Sequence, residues 1–83
     1  MAAPRRTKRR HAESMPQIAS IGHAFAERRI ALRLTQQTLA DLAGVSRSTV
    51  QSLERGSGSV KFGSVMELAD ILGLRVDVKV VAE

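Results

Sequence analysis

The stretch of sequence from Thr35 to Gly56 constrains the fold most, because it predicts two short helices joined by a turn of fixed length. Thr35 and Ser46 each precede a helical pattern, and their hydroxyl oxygens can accept the free backbone N–H groups of a first turn. Gly44 suits the left-handed backbone conformation that ends a helix, which is costly for any residue with a Cβ atom. We therefore predict one helix on each side of Gly44, with inward-facing apolar residues at helical spacing: Leu39, Ala40, Ala43, Val50 and Leu53.

The second predicted helix has a polar face opposite its apolar one. Val50 and Leu53 face inward, which leaves four polar side chains outside: Arg47, Ser48, Gln51 and Ser52. Any helical hairpin in a small bundle can use a seam of alanine and leucine with a glycine corner, but that alternative does not explain the polar outer face. A helix with such a face fits the major groove of B-DNA, where each base pair presents a distinct pattern of donors and acceptors.

The same residues resemble the DNA-binding helix-turn-helix of the Cro/repressor-type (XRE) family. The family's motif is Thr-Gln, two residues, Leu-Ala, then Gly-Val-Ser, three residues, Val or Ile, two residues, Leu-Glu, one residue and Gly. All of these elements occur between Thr35 and Gly56 with no insertion or deletion, and the resemblance extends over about residues 21–72. It implies a mainly α, repressor-like DNA-binding domain of four or five helices, which we assign to residues 18–73. It also implies that Arg29 reaches Glu54 and ties the first helix to the end of the motif, although the spacing alone equally allows a weak surface pair.

The resemblance further implies which side chains meet DNA. Arg47 suits the O6 and N7 atoms of guanine, and Gln51 can pair similarly with adenine. Gln36 begins a helix whose free N–H groups form a natural anion site, although Gln36 and Gln37 are alternatively solvated helix-start residues. The sequence does not separate base contacts from phosphate contacts within the predicted DNA-binding set: Gln36, Gln37, Ser46, Arg47, Ser48, Thr49, Gln51, Ser52, Arg55 and Lys61.

The excess positive charge lies outside this region. The chain carries a net charge of +5, and its first ten residues hold five cations: Arg5, Arg6, Lys8, Arg9 and Arg10. After residue 10, eight basic residues balance eight acidic ones. Residues 1–17 therefore predict a disordered basic arm, which either follows the phosphates or minor groove of DNA or is a passive leader.

Two further helices flank the motif in the predicted fold. The first covers about residues 18–33 or 21–33, with an apolar stripe at spacings of three and four: Ile21, Ala24, Phe25 and Leu32. The last covers about residues 62–72, with the stripe Phe62, Val65, Met66, Ala69 and Leu72. Leu68 and Ile71 widen this stripe beyond the need of a three-helix core, and extra apolar surface on a small domain indicates an interface.

The last ten residues, 74–83, predict a dimerisation strand with a short tail. Apolar and charged residues alternate, so one face of the strand carries Leu74, Val76, Val78 and Val80. Nothing else in the chain predicts a strand, and an unpaired apolar edge promotes association. We therefore predict that this strand pairs with its copy in a two-fold homodimer, with Met66 also in the interface; alternatively, it folds back on its own helices or frays.

The run from Phe62 to Val78 looks like the C-terminal half of HipB-like antitoxins, small dimeric repressors in which such strands pair between subunits. This resemblance implies a transcriptional repressor that binds double-stranded DNA at an inverted-repeat operator near its own promoter. It also implies a HipA-like kinase toxin as a partner. The alternatives are a stand-alone XRE-type regulator without a toxin and a protein-binding adaptor on the same fold.

Composition argues against several other classes. The 83 residues predict one small domain without cysteine, and the two histidines, at positions 11 and 23, form no metal-ligand cluster. No apolar run is long enough to span a bilayer or to act as a secretory signal, so we expect a cytoplasmic, nucleoid-associated protein that does not contact membranes. The helix-turn-helix region offers no nucleophile–base pair and no phosphate-cradling glycine loop, so we expect no enzyme activity, cofactor or metal.

Overall fold

The computed structural model describes residues 15–82, and this part of the chain contains four helices. They are α1 (Pro16–Ala31), α2 (Gln36–Ala43), α3 (Arg47–Glu54) and α4 (Phe62–Leu72). The prediction of a mainly α fold with four or five helices is confirmed, since the described residues form four helices. Most of the predicted basic arm, residues 1–14, lies outside the described part of the chain. None of the described helices is both long enough and apolar enough to cross a membrane.

The helix α1 starts earlier than predicted. Pro16 occupies its first turn, where proline is favoured because it has no N–H group to leave unsatisfied and its φ angle already suits a helix. The helix ends at Ala31, because Arg33 adopts a φ of 61° and the backbone leaves the helical path. Its predicted apolar stripe is only partly correct, since Phe25 is buried while Ile21 and Leu32 are exposed.

The turn between α2 and α3 has the predicted local structure. The backbone N–H of Thr38 donates to the Thr35 hydroxyl at 3.0 Å, and the N–H of Thr49 donates to the Ser46 hydroxyl at 3.1 Å. Gly44 ends α2 with φ 73° and ψ 30°, in the left-handed region that a Cβ atom makes costly. Both caps and the glycine corner are confirmed, and together they fix the path of the chain into α3.

The core lies where the four helices meet, and one sequence prediction about it is wrong. The sequence pattern predicts Leu68 to be surplus apolar surface on α4, yet it is fully buried, while Phe62 is 70% exposed and Met66 is also exposed. The buried face of α4 follows the spacing 65, 68, 69 and 72, which is the i, i+3, i+4, i+7 pattern of one helix face. The complete set of buried apolar residues is Phe25, Leu39, Ala40, Val50, Leu53, Leu68, Ala69 and Leu72.

The helix α1 approaches the end of α3 at backbone contact distance. Gly22 is buried, and a Cβ atom built there would overlap the carbonyl oxygen of Leu53. One helical turn earlier, Ala19 lies so close to Gly56 that a Cβ atom on this glycine would sit 2.8 Å from the Ala19 Cα. Gly56 also has a φ of 83°. Glycine at these two positions therefore sets the separation between α1 and the segment that ends α3.

Residues 74–82 form neither helix nor strand in the described chain, so the structure does not support the predicted C-terminal strand. The N–H of Leu74 donates to the Ala69 carbonyl at 2.9 Å, which completes the left-handed end of α4 at Gly73. Beyond it, Val78 and Val80 are 92% and 96% exposed. A strand exists only when a second strand satisfies its backbone groups, and the described residues supply none.

The glycine contact gives a stability prediction. We expect Gly22→Ala to lower the free energy of unfolding by about 1–3 kcal/mol, because the new methyl group forces α1 away from Leu53. Gly63→Ala is the matched control, since Gly63 lies in α4 and a methyl group added there would have nothing within 4 Å. The control should gain about 0.5–1 kcal/mol through helix propensity. Urea unfolding of both variants tests this, and equal shifts in the same direction would contradict it.

Candidate nucleic-acid interface

The helix α3 separates its apolar and polar side chains as the sequence predicts. Val50 and Leu53 are buried in the core, whereas Arg47 and Ser48 in its first turn are exposed. Gln51 and Ser52, one turn later, are half-buried. The exposed start of α3 therefore presents one guanidinium and one hydroxyl to solvent, with an amide and a second hydroxyl further along the helix.

Three hydroxyl groups meet at the N-terminus of α3. The Ser46 Oγ lies 3.0 Å from the Ser48 Oγ and 2.8 Å from the Thr49 Oγ1. Because Ser46 also caps the helix, Ser46 and Thr49 already serve the local fold. Ser48 is exposed and held only by its neighbouring hydroxyl, so its rotation toward a ligand costs the least.

A polar concavity of about 360 Å³ lies between this end of α3 and the start of α4. It places Lys61, which precedes α4, near the hydroxyl groups of α3. Sequence analysis missed Ser59 and Ser64, which also line the concavity. Their positions, two residues before and three after Lys61, are the only sequence signal for them. Five of the predicted DNA-binding residues line this concavity: Ser46, Ser48, Thr49, Ser52 and Lys61. Hydroxyl donors around an ammonium group match the chemistry of a phosphate group.

The opposite end of α3 is joined to α1 by an ion pair. Arg29 donates from Nε to the Glu54 Oε2 at 2.7 Å and from Nη2 to the Glu54 Oε1 at 3.1 Å. Its Nη1 donates to the Leu34 carbonyl at 2.7 Å. The side chains are only 14% and 9% exposed, respectively, so this is a largely buried bidentate pair rather than a surface contact. The hydrogen bond to Glu54 raises the pKa of Arg29 above its usual value, against the opposing effect of burial.

Both glutamines at the start of α2 donate side-chain hydrogen bonds to carboxylates. The Gln36 Nε2 donates to the Glu54 Oε1 at 2.9 Å, so Gln36 joins α2 to the same ion pair. The Gln37 Nε2 donates to the Asp41 Oδ1 at 2.9 Å within α2. Gln36 keeps a second amide hydrogen for a ligand, because its nitrogen carries two.

The remaining predicted residues lie apart from the concavity. Arg55 follows the last residue of α3 and is exposed, and Arg47 at the other end of α3 is exposed as well. Neither guanidinium is paired with a carboxylate in the described part of the chain. Residues 15–82 also contain no group of three side chains placed to hold a metal ion.

Comparisons with known proteins agree with this geometry. The sequence model of the family described as Helix-turn-helix matches residues 25–79, which include α2, α3 and α4. An uncharacterized transcriptional regulator in the ATPase CF(0) region of Rhodospirillum rubrum is 36% identical over 59 residues. That match covers 71% of this chain and 55% of the relative, so the chain spans about half the length of the curated protein it matches.

The effect of removing one charge on the free energy of unfolding distinguishes a buried ion pair from a surface one. Glu54→Gln should lower the free energy of unfolding by roughly 2–4 kcal/mol, because it leaves the charge of Arg29 buried without a counter-charge. Glu27→Gln makes the same chemical change in the exposed His23–Glu27 pair, where we expect less than about 0.5 kcal/mol. Chemical denaturation of the two variants is the measurement. Similar losses in both would mean that the pair with Arg29 acts only at the surface.

Proposed function

The chain belongs to the XRE-type helix-turn-helix family of DNA-binding transcriptional regulators, and on that premise we propose that it is a sequence-specific repressor that binds an inverted-repeat operator as a homodimer. The family is generally non-enzymatic, which agrees with the lack of a nucleophile–base pair in the sequence of the motif. The observation that carries the proposal is the polar outer face of α3, held in place while its other face is buried in the core.

The polar face of α3 has the side chains that reading a base sequence requires. An α-helix enters the major groove with its first turns against the base edges. Arg47 occupies the first helical position and has no carboxylate partner to displace among the described residues, so its planar guanidinium is available for the two acceptors of guanine. Gln51 follows one turn later and can pair with adenine in the same bidentate manner.

Two groups of polar donors near α3, one in the concavity and one at the start of α2, could contact phosphates and so orient α3 on the DNA. The concavity that includes Ser48, Ser52 and Lys61 offers hydroxyl and ammonium donors to one phosphate. Gln36 at the N-terminus of α2 offers an amide hydrogen beside the free N–H groups of that helix, which favour an anion. Phosphate contacts fix the position of a protein on the duplex, while contacts in the groove provide the discrimination between bases.

A two-fold dimer would supply the second reading helix. Two copies related by such an axis place their α3 helices in successive major grooves, about 34 Å apart on one face of the duplex. The exposed apolar side chains of residues 76–81 support self-association, since a single chain leaves them in water. Occupation of an operator that overlaps a promoter then blocks the polymerase sterically.

The antitoxin role is a second, more specific proposal. It is supported by the resemblance of residues 62–78 to HipB-like antitoxins, and it requires a HipA-like kinase toxin that binds away from α3. A stand-alone regulator has the same DNA-binding face without that partner. The gene next to this one distinguishes the two, because an antitoxin is encoded beside its toxin. A protein-binding adaptor would instead show no preference of about a thousandfold for any inverted repeat over random duplex.

Arg47 provides the test of base reading. Arg47→Ala should weaken binding to the selected operator by about 1–3 kcal/mol and relax the preference at one base position. Arg47→Lys is the matched control, because it keeps the charge and removes the planar fork, so binding to random duplex should be retained while discrimination falls. Titration of both duplex types by fluorescence anisotropy measures this. Equal losses on operator and random DNA would show that Arg47 contacts only phosphate.

Lys61 provides the test of phosphate contact. Lys61→Ala should weaken binding to all sequences alike and reduce the slope of log K against log salt by about one unit. Lys61→Arg keeps the charge in the concavity and should preserve that slope. Titrations between roughly 50 and 200 mM salt, the range over which such contacts are most visible, provide the measurement. An unchanged slope in Lys61→Ala would place the phosphate elsewhere.

A further inference from the structure

An apolar groove of about 420 Å³ lies between α1, the loop that follows α3 and the C-terminal tail, which we define as residues 74–82. Ile21 of α1 and Val76 of the tail line it, and both are exposed, so the groove leaves apolar surface in water. Pockets for small molecules have volumes of about 300–1,000 Å³ and a mainly apolar lining with a few polar groups. The groove therefore has the size and the lining of a small-molecule site.

The polar groups of the groove include two charged side chains of the tail, Arg75 and Asp77. The Asp77 Oδ1 already accepts the backbone N–H of Val78 at 2.9 Å. The Arg75 guanidinium, in contrast, is paired with no carboxylate among residues 15–82. The groove therefore presents a planar fork of N–H donors beside its apolar walls.

These charges select the chemical class of the ligand. A guanidinium binds a carboxylate through two parallel hydrogen bonds, and an apolar body attached to that carboxylate removes the groove walls from water. A phosphate ester carries about −1.5 to −2 charges at neutral pH, and a dicarboxylate carries two. The carboxylate of Asp77 repels this second negative charge, so a monocarboxylate fits the groove better than either.

We propose that the groove binds a small apolar monocarboxylate, with its carboxylate on Arg75, and that the bound molecule holds in place the loop that brings Lys61 to the polar concavity. The binding itself does not depend on what the protein does. The consequence for DNA rests on the function proposed above.

The loop between α3 and α4 is a wall that the groove and the concavity share. Ser57 and Gly58 line the groove, whereas Ser59 and Lys61 line the concavity. Val60 lines both of them. A molecule in the groove therefore contacts one side of the segment whose other side faces the predicted phosphate.

Hydrogen bonds within the loop are local. The N–H of Ser57 donates to the Ser52 carbonyl at 3.0 Å, and the N–H of Ser59 donates to the Ser57 Oγ at 3.3 Å. The hydroxyls of Ser57 and Ser59 lie 2.8 Å apart. None of these bonds joins the loop to α1, so packing across the groove positions the loop against that helix. A ligand that touches both walls adds to this packing.

The sign of the effect on DNA binding follows from the conformation that each ligand favours. The groove is open in the same structure in which Lys61 lines the concavity. A molecule that binds the groove as it stands stabilises this position of the loop, and a DNA phosphate on Lys61 stabilises it as well. Two ligands that favour one conformation raise each other's affinity by the same factor. The monocarboxylate should therefore tighten operator binding.

Octanoate is the probe for the site, added to the full chain and followed by the backbone amide signals in NMR spectra. We expect saturable shifts confined to the groove. Arg75→Gln should weaken octanoate binding by at least about tenfold, because it removes a charge-assisted pair. Lys79→Gln is the matched control: it removes the same charge from the tail at a position outside the groove, so we expect a change of at most about twofold.

Octylamine separates the charge from the apolar chain, because it has the same chain with a cation in place of the carboxylate. It should bind at least about tenfold more weakly than octanoate. Equal binding of the two molecules, or wild-type affinity of Arg75→Gln for octanoate, overturns the assignment of the carboxylate to Arg75.

Two isoleucines of α1 test the groove itself. Ile21→Asp places a carboxylate in the groove and should weaken octanoate binding by at least about tenfold. Ile30→Asp makes the same change at an exposed position outside the groove, where we expect at most about threefold. Equal effects of the two substitutions, or shifts spread over all exposed apolar residues, mean adsorption and overturn the site.

Sedimentation of the same samples identifies a second copy of the chain as the alternative occupant. Octanoate should bind without a change in the mass of the protein. Octanoate that acts only by dissociating an assembly, with no binding to the single chain, shows that a second copy fills the groove and overturns the ligand site.

Operator titrations with and without octanoate measure the effect on DNA. Saturating octanoate should raise operator affinity by about fivefold or more in the wild type and leave that of Arg75→Gln unchanged. Unchanged affinity with octanoate bound overturns the role of the loop. A protein that binds octanoate but prefers no duplex contradicts the repressor and leaves the site standing. A protein that prefers an inverted repeat but binds no octanoate contradicts the site and leaves the repressor standing.

Discussion

The ion pair between Arg29 and Glu54 holds α3 against the described elements that precede it. Arg29 comes from α1, Glu54 is the last residue of α3, and the same guanidinium also binds the carbonyl of Leu34, just before α2. Gln36 brings the start of α2 to the same carboxylate. Because the pair is bidentate and largely buried, it fixes both the distance and the rotation of α3 relative to α1. The direction of the polar face of α3 depends on this junction.

The ion pair and the glycine contact have different physical roles in that junction. Replacing a buried ion pair by well-packed apolar residues is often neutral or stabilising, so the pair contributes geometry more than stability. Gly22 contributes the close approach, because only a residue without a Cβ atom lets α1 lie against the Leu53 carbonyl. That approach in turn brings Arg29, two turns further along α1, within reach of Glu54. Loss of the approach would therefore also strain the ion pair.

Sequence alone predicts those parts of the structure that local interactions decide. The caps at Thr35 and Ser46 and the corner at Gly44 depend on neighbouring residues alone, and they are present as predicted. The face of α4 depends on where three other helices lie, so the prediction for Leu68 is wrong. Ser59 lies in the loop before α4 and Ser64 in the first turn of α4, and both reach the concavity through a loop path that no periodicity describes. Apolar and charged residues alternate over residues 74–80, but a strand also needs a partner strand, and the described residues provide none.

The proposed second copy would add to the limited discrimination between bases that one α3 helix can provide. A good bidentate contact is worth about 1–3 kcal/mol against a wrong base, and the face of α3 has two side chains suited to such contacts, Arg47 and Gln51. One copy therefore offers roughly 2–6 kcal/mol, whereas specific regulators separate their sites from random DNA by about 4–10 kcal/mol. Two copies acting together cover that whole range. In the proposed dimer, an association that covered the exposed valines at positions 76, 78, 80 and 81 would also bring a second α3 helix to the duplex.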